Sequence, residues 1–187
     1  MNQSSTINFE KCKVMIDIFA TFRKLWTQHV MWTRSFIIST AANLGDLQAV
    51  TARLLRNPMD FANVLGPIYG EDKAKRFSDL LTQHLMIAAQ LVNAAKAGNT
   101  ETVNEERKKW YSNADEIADF LAGLNPYWSK ARWTLMLHDH LKITEEEAVE
   151  RLSGQYAKDV ALYDAIEDQA LMMADYMADG ILKQFSR

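Results

Sequence analysis

The residues of this chain whose types and spacing could hold a metal ion or a polar ligand are histidines, asparagines and a glutamate. His29 lies in Leu25-Trp26-Thr27-Gln28-His29-Val30-Met31 and His84 in Leu80-Leu81-Thr82-Gln83-His84-Leu85-Met86. Five of the seven positions are identical, at an offset of 55. Each imidazole sits within an apolar helical stripe, where a polar ring is costly unless something satisfies it. The spacing therefore points to an interior polar site built twice. Two imidazoles and one carboxylate would suit Fe, Mn or Zn inside a helical bundle. The carboxylate best placed to join them is Glu167. A ferritin-type di-metal centre is not expected, because Trp26 and Leu81 stand where its Glu-x-x-His motif needs acids.

Two hairpins must position these groups. The first helix is predicted from about Phe9 to about Ala42, on the stripe Ile18, Phe22, Leu25, His29, Trp32, Phe36 and Ser39. Asn43-Leu44-Gly45-Asp46 breaks it. A second helix starts near Leu47 and meets Asn57-Pro58, where Asn57 is expected to end one helix and cap the next. The following unit repeats the plan. A helix from about Asp72 to Ala97 carries Phe77, Leu80, His84, Ile87 and Leu91, and Gly98-Asn99 ends it. The next carries Trp110 and Ile117 and contains Ser112-Asn113-Ala114-Asp115-Glu116, which reads as an N-cap signature. The internal repeats span about 17–70 and 72–128 of one 187-residue domain, with C-terminal helices over 129–187. In the tail, a helix is predicted near Ser129–Leu141; Thr144 and Glu147 then form a capping box, from which one helix of roughly 40 residues, about 60 Å long, is predicted to run to Phe185 and close the bundle. The fold class is all-α: a bundle of two duplicated hairpins plus a long C-terminal helix.

Register sharpens the site. His29 and Asn57 are centred on position 43, and His84 and Asn113 between 98 and 99. Each histidine should then face the asparagine of its own hairpin. The predicted ligand-binding set is His29, Asn57, His84, Asn113, Tyr163, Glu167, Trp32 and Arg34, with His29, His84 and Glu167 as the metal ligands. Three readings stay open: a metal site, a metal-free pocket for a small molecule, and a hydrogen-bonded layer that only fixes helix register in an interaction protein. Arg34 either pairs with an acid at a helix seam or clamps a carboxylate or phosphate. His138 and His140 point to different faces and read as helix C-terminal caps.

Bulk composition excludes several classes. Net charge is −3 with no basic stripe, so nucleic acid is not an expected partner. No apolar run approaches ~18 residues, so no membrane span is expected. The single Cys12 and the lack of a signal-peptide pattern fit a cytoplasmic protein. No nucleophile elbow or glycine-rich phosphate loop occurs, so no reaction is assigned. A homo-oligomer is compatible with the sequence.

His29-Val30-Met31-Trp32-Thr33-Arg34-Ser35-Phe36, Leu55-Arg56-Asn57-Pro58, Gln83-His84-Leu85, Asn113-Ala114-Asp115-Glu116 and Tyr163-Asp164-Ala165-Ile166-Glu167-Asp168-Gln169 resemble an uncharacterised family of bacterial all-helical proteins. The resemblance runs from about residue 20 onward. Some members carry the label acetylglutamate kinase. Kinases of that type are α/β proteins with glycine-rich phosphate-binding turns, and this sequence predicts neither. The resemblance therefore implies an all-α fold and no particular activity.

Overall fold

The computed structural model describes residues 9–185, and among these there are six helices and no strand. They are α1 (Phe9–Ala42), α2 (Leu47–Tyr69), α3 (Glu71–Lys96), α4 (Thr100–Leu124), α5 (Lys130–Leu152) and α6 (Tyr156–Phe185). Short connections make successive helices antiparallel. Each helix packs on its chain neighbours, and α6 returns to α1 to close a ring. The odd-numbered helices α1, α3 and α5 also touch one another across the middle. The all-α class is as predicted, and so are the bounds of the first helix.

The tail differs from the prediction. The helix predicted near Ser129–Leu141 runs on through Thr144 to Leu152 as α5, and the long helix expected from there is broken, leaving α6, which forms a third hairpin with α5. Ser153-Gly154-Gln155 separates them, with Gly154 at φ 75°. That left-handed conformation suits glycine and ends a helix. The same device closes the other two hairpins, with Asn43 at φ 52° and Gly98 at φ 72°. The closing backbone bond also recurs: Leu44 N–H to Ser39 at 2.9 Å, Asn99 N–H to Ala94 at 3.0 Å, and Gln155 N–H to Glu150 at 2.9 Å. The chain is thus three hairpins rather than two plus a closing helix.

Three predicted caps are corrected as well. Asn57 lies inside α2, which runs on through Pro58, and Asn113 lies inside α4. Thr144 and Glu147 lie inside α5 and start no helix. His140 is therefore in mid-helix, not at a C-terminus. Packing overrides the local signals here, because these polar side chains are used across helices rather than along them.

The threefold repeat extends to the core. Phe22, Phe77 and Trp133 are buried at matching positions of α1, α3 and α5, as are Val30, Leu85 and Leu141. Their counterparts on the even helices are Phe61, Ile117 and Met173, then Leu65, Leu121 and Met177. All of these side chains are buried in the bundle's core. Burying one such side chain contributes roughly 1.5–3 kcal/mol. No described helix is long and apolar enough to cross a membrane.

Candidate metal centre

Each hairpin brings one histidine against one side-chain amide. In the first, Asn57 Nδ2 donates to the carbonyl of Leu25 at 3.1 Å. This orients the amide, so Asn57 Oδ1 faces His29 Nδ1 at 3.1 Å and accepts its proton. The second hairpin repeats both bonds: Asn113 Nδ2 to Leu80 at 3.1 Å, and His84 Nδ1 to Asn113 Oδ1 at 2.9 Å. The acceptor carbonyl is in both cases four residues before the histidine. Both rings are thereby fixed with the proton on Nδ1 and a bare Nε2. Facing of His29 with Asn57, and of His84 with Asn113, is what the register predicted.

The third hairpin supplies His140 and Gln169. Gln169 follows His140 by the same 29 residues that separate His84 from Asn113. Gln169 Nε2 donates to the carbonyl of Met136 at 2.6 Å, again four residues before the histidine. The copy is incomplete. His140 Nδ1 and Gln169 Oε1 are both buried and make no hydrogen bond, although Gln169 is near enough to favour the charged form of His140 slightly.

The three imidazoles converge. His29, His84 and His140 are each 2% exposed, and one nitrogen from each lies within 4.8 Å of the others. Ring centroids are 6.2 Å apart for His29 and His84 and 5.8 Å for His29 and His140. Trp110 Nε1 donates to His84 Nε2 at 3.2 Å. The Trp26 ring meets His29 edge-on at 5.5 Å. Burial pushes His29 down to about 4, partly opposed by its bond to Asn57. Burial, then the proximity of His29, push His84 down to about 3. Burial and both neighbours hold His140 well below the ordinary range. All three rings are neutral at pH 7, the state a metal ion requires.

The remaining predicted residues lie elsewhere. Glu167 is half-buried and is not part of the imidazole cluster, whose third member is His140. On α6 it is Gln169, two residues later, that reaches the layer. Tyr163 lies under the Arg34 guanidinium, 4.8 Å from the ring centroid. Arg34 bonds the buried carboxylates of Glu147 and Asp159, so of its two readings the structure shows the ion pair. Asp159 also pairs with Arg151 at 3.3 Å. Trp32 stacks with Arg53 at 5.2 Å. His138 faces Asp115 at 2.8 Å and Tyr111 on the outside of α5. An apolar cavity lies one turn beyond the layer, lined by residues that include Thr33, Ala88, Trp110 and Thr144.

Sequence reasoning missed His140 and Gln169 because His138-Asp139 replaces the Thr-Gln string and Gln replaces Asn. One signal was available. The midpoint of His140 and Gln169 falls beside Gly154, as the midpoints of the other pairs fall on Asn43 and beside Gly98.

No protein-family profile, curated protein or solved structure matches this chain.

Proposed function

We propose that this chain is a metal-binding helical bundle whose centre is His29, His84 and His140. The observation that carries the reading is the set of three buried, neutral imidazoles with nitrogens within 4.8 Å of one another. Two of them have the tautomer fixed by an amide oxygen on Nδ1. A metal-ligating histidine is commonly backed in this way, by an acceptor that holds the ring and raises its basicity. The scaffold also suits the task, since each ligand stands on a different rigid helix. The predicted third ligand Glu167 gives way to His140, and Fe, Mn and Zn remain within the donor set's range.

A second reading has one observation in its favour. Trp110 already satisfies His84 Nε2, as a closed hydrogen-bonded layer would require. In that reading the layer fixes helix register and the protein works through its surface. Elemental analysis of protein purified without a histidine tag separates the two. Near-stoichiometric transition metal, lost in His84→Gln and in His140→Gln, supports the metal centre. Metal-free protein that also fails to take up Cu(I), Zn(II), Fe(II) or Mn(II) rejects it. We place the protein in the cytoplasm, a reading supported by a single cysteine that can form no intrachain disulfide, and cell fractionation tests it. The resemblance to an uncharacterised all-helical family agrees with this reading and adds no activity to it.

A further inference from the structure

Three features of the layer bear on which ion it takes: its charge, its coordination number and its neighbours. The cluster holds three imidazoles and, among the described residues, no carboxylate or thiolate joins it. Its own charge is zero. Any ion therefore adds its full charge to an apolar core, and the desolvation cost of an ion rises with the square of that charge. A divalent ion would leave +2 there, a monovalent ion +1.

Coordination number points the same way. Zn(II) with three histidines keeps a water or hydroxide as its fourth ligand. Mn(II) and Mg(II) prefer six oxygens. Here the rings are 2% exposed, and the indoles of Trp110 and Trp26 flank His84 and His29. An indole N–H donates and cannot ligate. The surroundings thus offer three imidazole nitrogens, and the unpartnered hydroxyl of Thr144, one turn beyond them, is a hard neutral oxygen rather than the charged donor a divalent ion favours. A d10 monovalent ion is stable with three ligands in a plane.

On this basis, and resting on the metal reading above, we infer that the layer of His29, His84 and His140 is a three-coordinate Cu(I) site. With bonds of about 2.0 Å, trigonal nitrogens stand about 3.5 Å apart. The layer must draw in from its 4.8 Å spread, and the Trp110 indole must release His84 Nε2. Trp110 is a positioning residue in this scheme. It acts through His84, capping the Nε2 that would bind the ion, and offers no ligand atom itself.

The test is an anaerobic titration of the full chain in a Cys12→Ser background, which removes the one thiol. Cu(I) is delivered from a coloured chelator of known affinity, and Zn(II) is titrated in parallel. One Cu(I) per chain is expected, retained against a hundredfold excess of Zn(II). X-ray absorption at the copper edge should show three nitrogens near 2.0 Å. His84→Gln and His140→Gln should each lower the affinity at least a hundredfold. Trp110→Phe should raise it several-fold, a change that a purely structural tryptophan would not produce. Stoichiometric Zn(II) or Fe(II) with no Cu(I) overturns this inference while leaving a metal centre in place. Cu(I) that persists unchanged in folded His84→Gln and His140→Gln also overturns it. Failure of every metal to bind overturns both the inference and the reading beneath it.

Discussion

Gln169 Nε2 donates to the backbone carbonyl of Met136 at 2.6 Å, the bond that Asn57 makes to Leu25 and Asn113 to Leu80. Three amides thus tie each even helix to the odd helix of its own hairpin, four residues before a histidine. Their consequences for stability differ. Asn57→Leu strands the buried His29 Nδ1, while the Leu25 carbonyl keeps its helical bond from the His29 backbone N–H. Gln169→Leu strands nothing, since the Met136 carbonyl keeps its helical bond and His140 Nδ1 has no partner to lose. An unsatisfied buried group costs about 1–3 kcal/mol. Urea denaturation should show Asn57→Leu and Asn113→Leu costing more than Gln169→Leu. Equal losses at all three positions would mean that the ring bonds contribute nothing.

The neutral imidazoles set an acid limit on the metal-free fold. His29 has a folded value of about 4 and His84 about 3, against roughly 6.5 in an unfolded chain. Below 6.5 the unfolded state takes up protons that the folded state refuses. The contribution is complete above pH 6.5 and is lost as pH falls through 4 and then 3. For His29 this amounts to roughly 3 kcal/mol. Urea midpoints should therefore fall steeply between pH 6.5 and 4. A His29→Gln variant should show a shallower fall over the same range, and an unchanged slope would contradict the assignment.

The charged cluster at the far end of α5 should respond unequally. Asp159 is fully buried and holds both Arg34 and Arg151, whereas Glu147 holds Arg34 alone. Burial pushes Glu147 up to about 7, more strongly than Arg34 pulls it down. A raised carboxyl favours folding below its unfolded value, near 4.5, and that benefit is lost as pH rises through 7. Glu147→Gln should thus cost little at pH 8. Asp159→Asn should cost about 3 kcal/mol or more, because it leaves two partly buried guanidinium groups underpaired. Paired thermal melts at pH 8 check the order, and a larger loss for Glu147→Gln would reverse the assignment.

Two helical glycines separate propensity from packing. A Cβ on Gly180 would stand 2.0 Å from Trp128 Nε1, so the indole lies directly on the α6 backbone. Gly123, inside α4, has nothing within 4 Å. Alanine at 123 should stabilise by about 0.5–1 kcal/mol through helix propensity. Alanine at 180 should destabilise by about 1–3 kcal/mol through overpacking. Calorimetry on the two variants should give shifts of opposite sign.

These energetics also show why the third hairpin was hard to read. The apolar period of α1 and the turn at Asn43 stand plainly in the sequence, as do the two Thr-Gln-His strings. The pairing of His29 with Asn57 followed from their distance to the turn. Helix ends were harder. Asn57-Pro58 and Ser112-Asn113 carry cap chemistry, but their amides bond across the hairpin, and apolar packing holds α2 and α4 continuous past them. Thr144 and Glu147 imitate a capping box because Glu147 serves Arg34 on α1. Long-range pairing of that kind leaves no local pattern. Only the left-handed glycine at 154, at the centre of His140 and Gln169, marked the third copy.

His140 gives the test that separates a metal centre from a structural layer. Its Nδ1 is buried without a partner, and its pKa is held well below the ordinary range mainly by burial. In the empty protein it is therefore a burden. His140→Leu removes an unsatisfied buried nitrogen and fills similar space, so the metal-free fold should be unchanged or more stable. His29→Leu removes a satisfied ring and strands Asn57 Oδ1, so it should cost about 1–3 kcal/mol. The order changes once metal is present. A ligand at a hundredfold excess over its Kd stabilises by about 2.7 kcal/mol, and either substitution should abolish that gain. Thermal melts of wild type, His29→Leu and His140→Leu, each with and without Cu(I) under reducing conditions, read all four quantities. A His140→Leu protein that is destabilised when empty and shows the wild-type metal-induced shift would remove His140 from the centre and return the layer to a purely structural role.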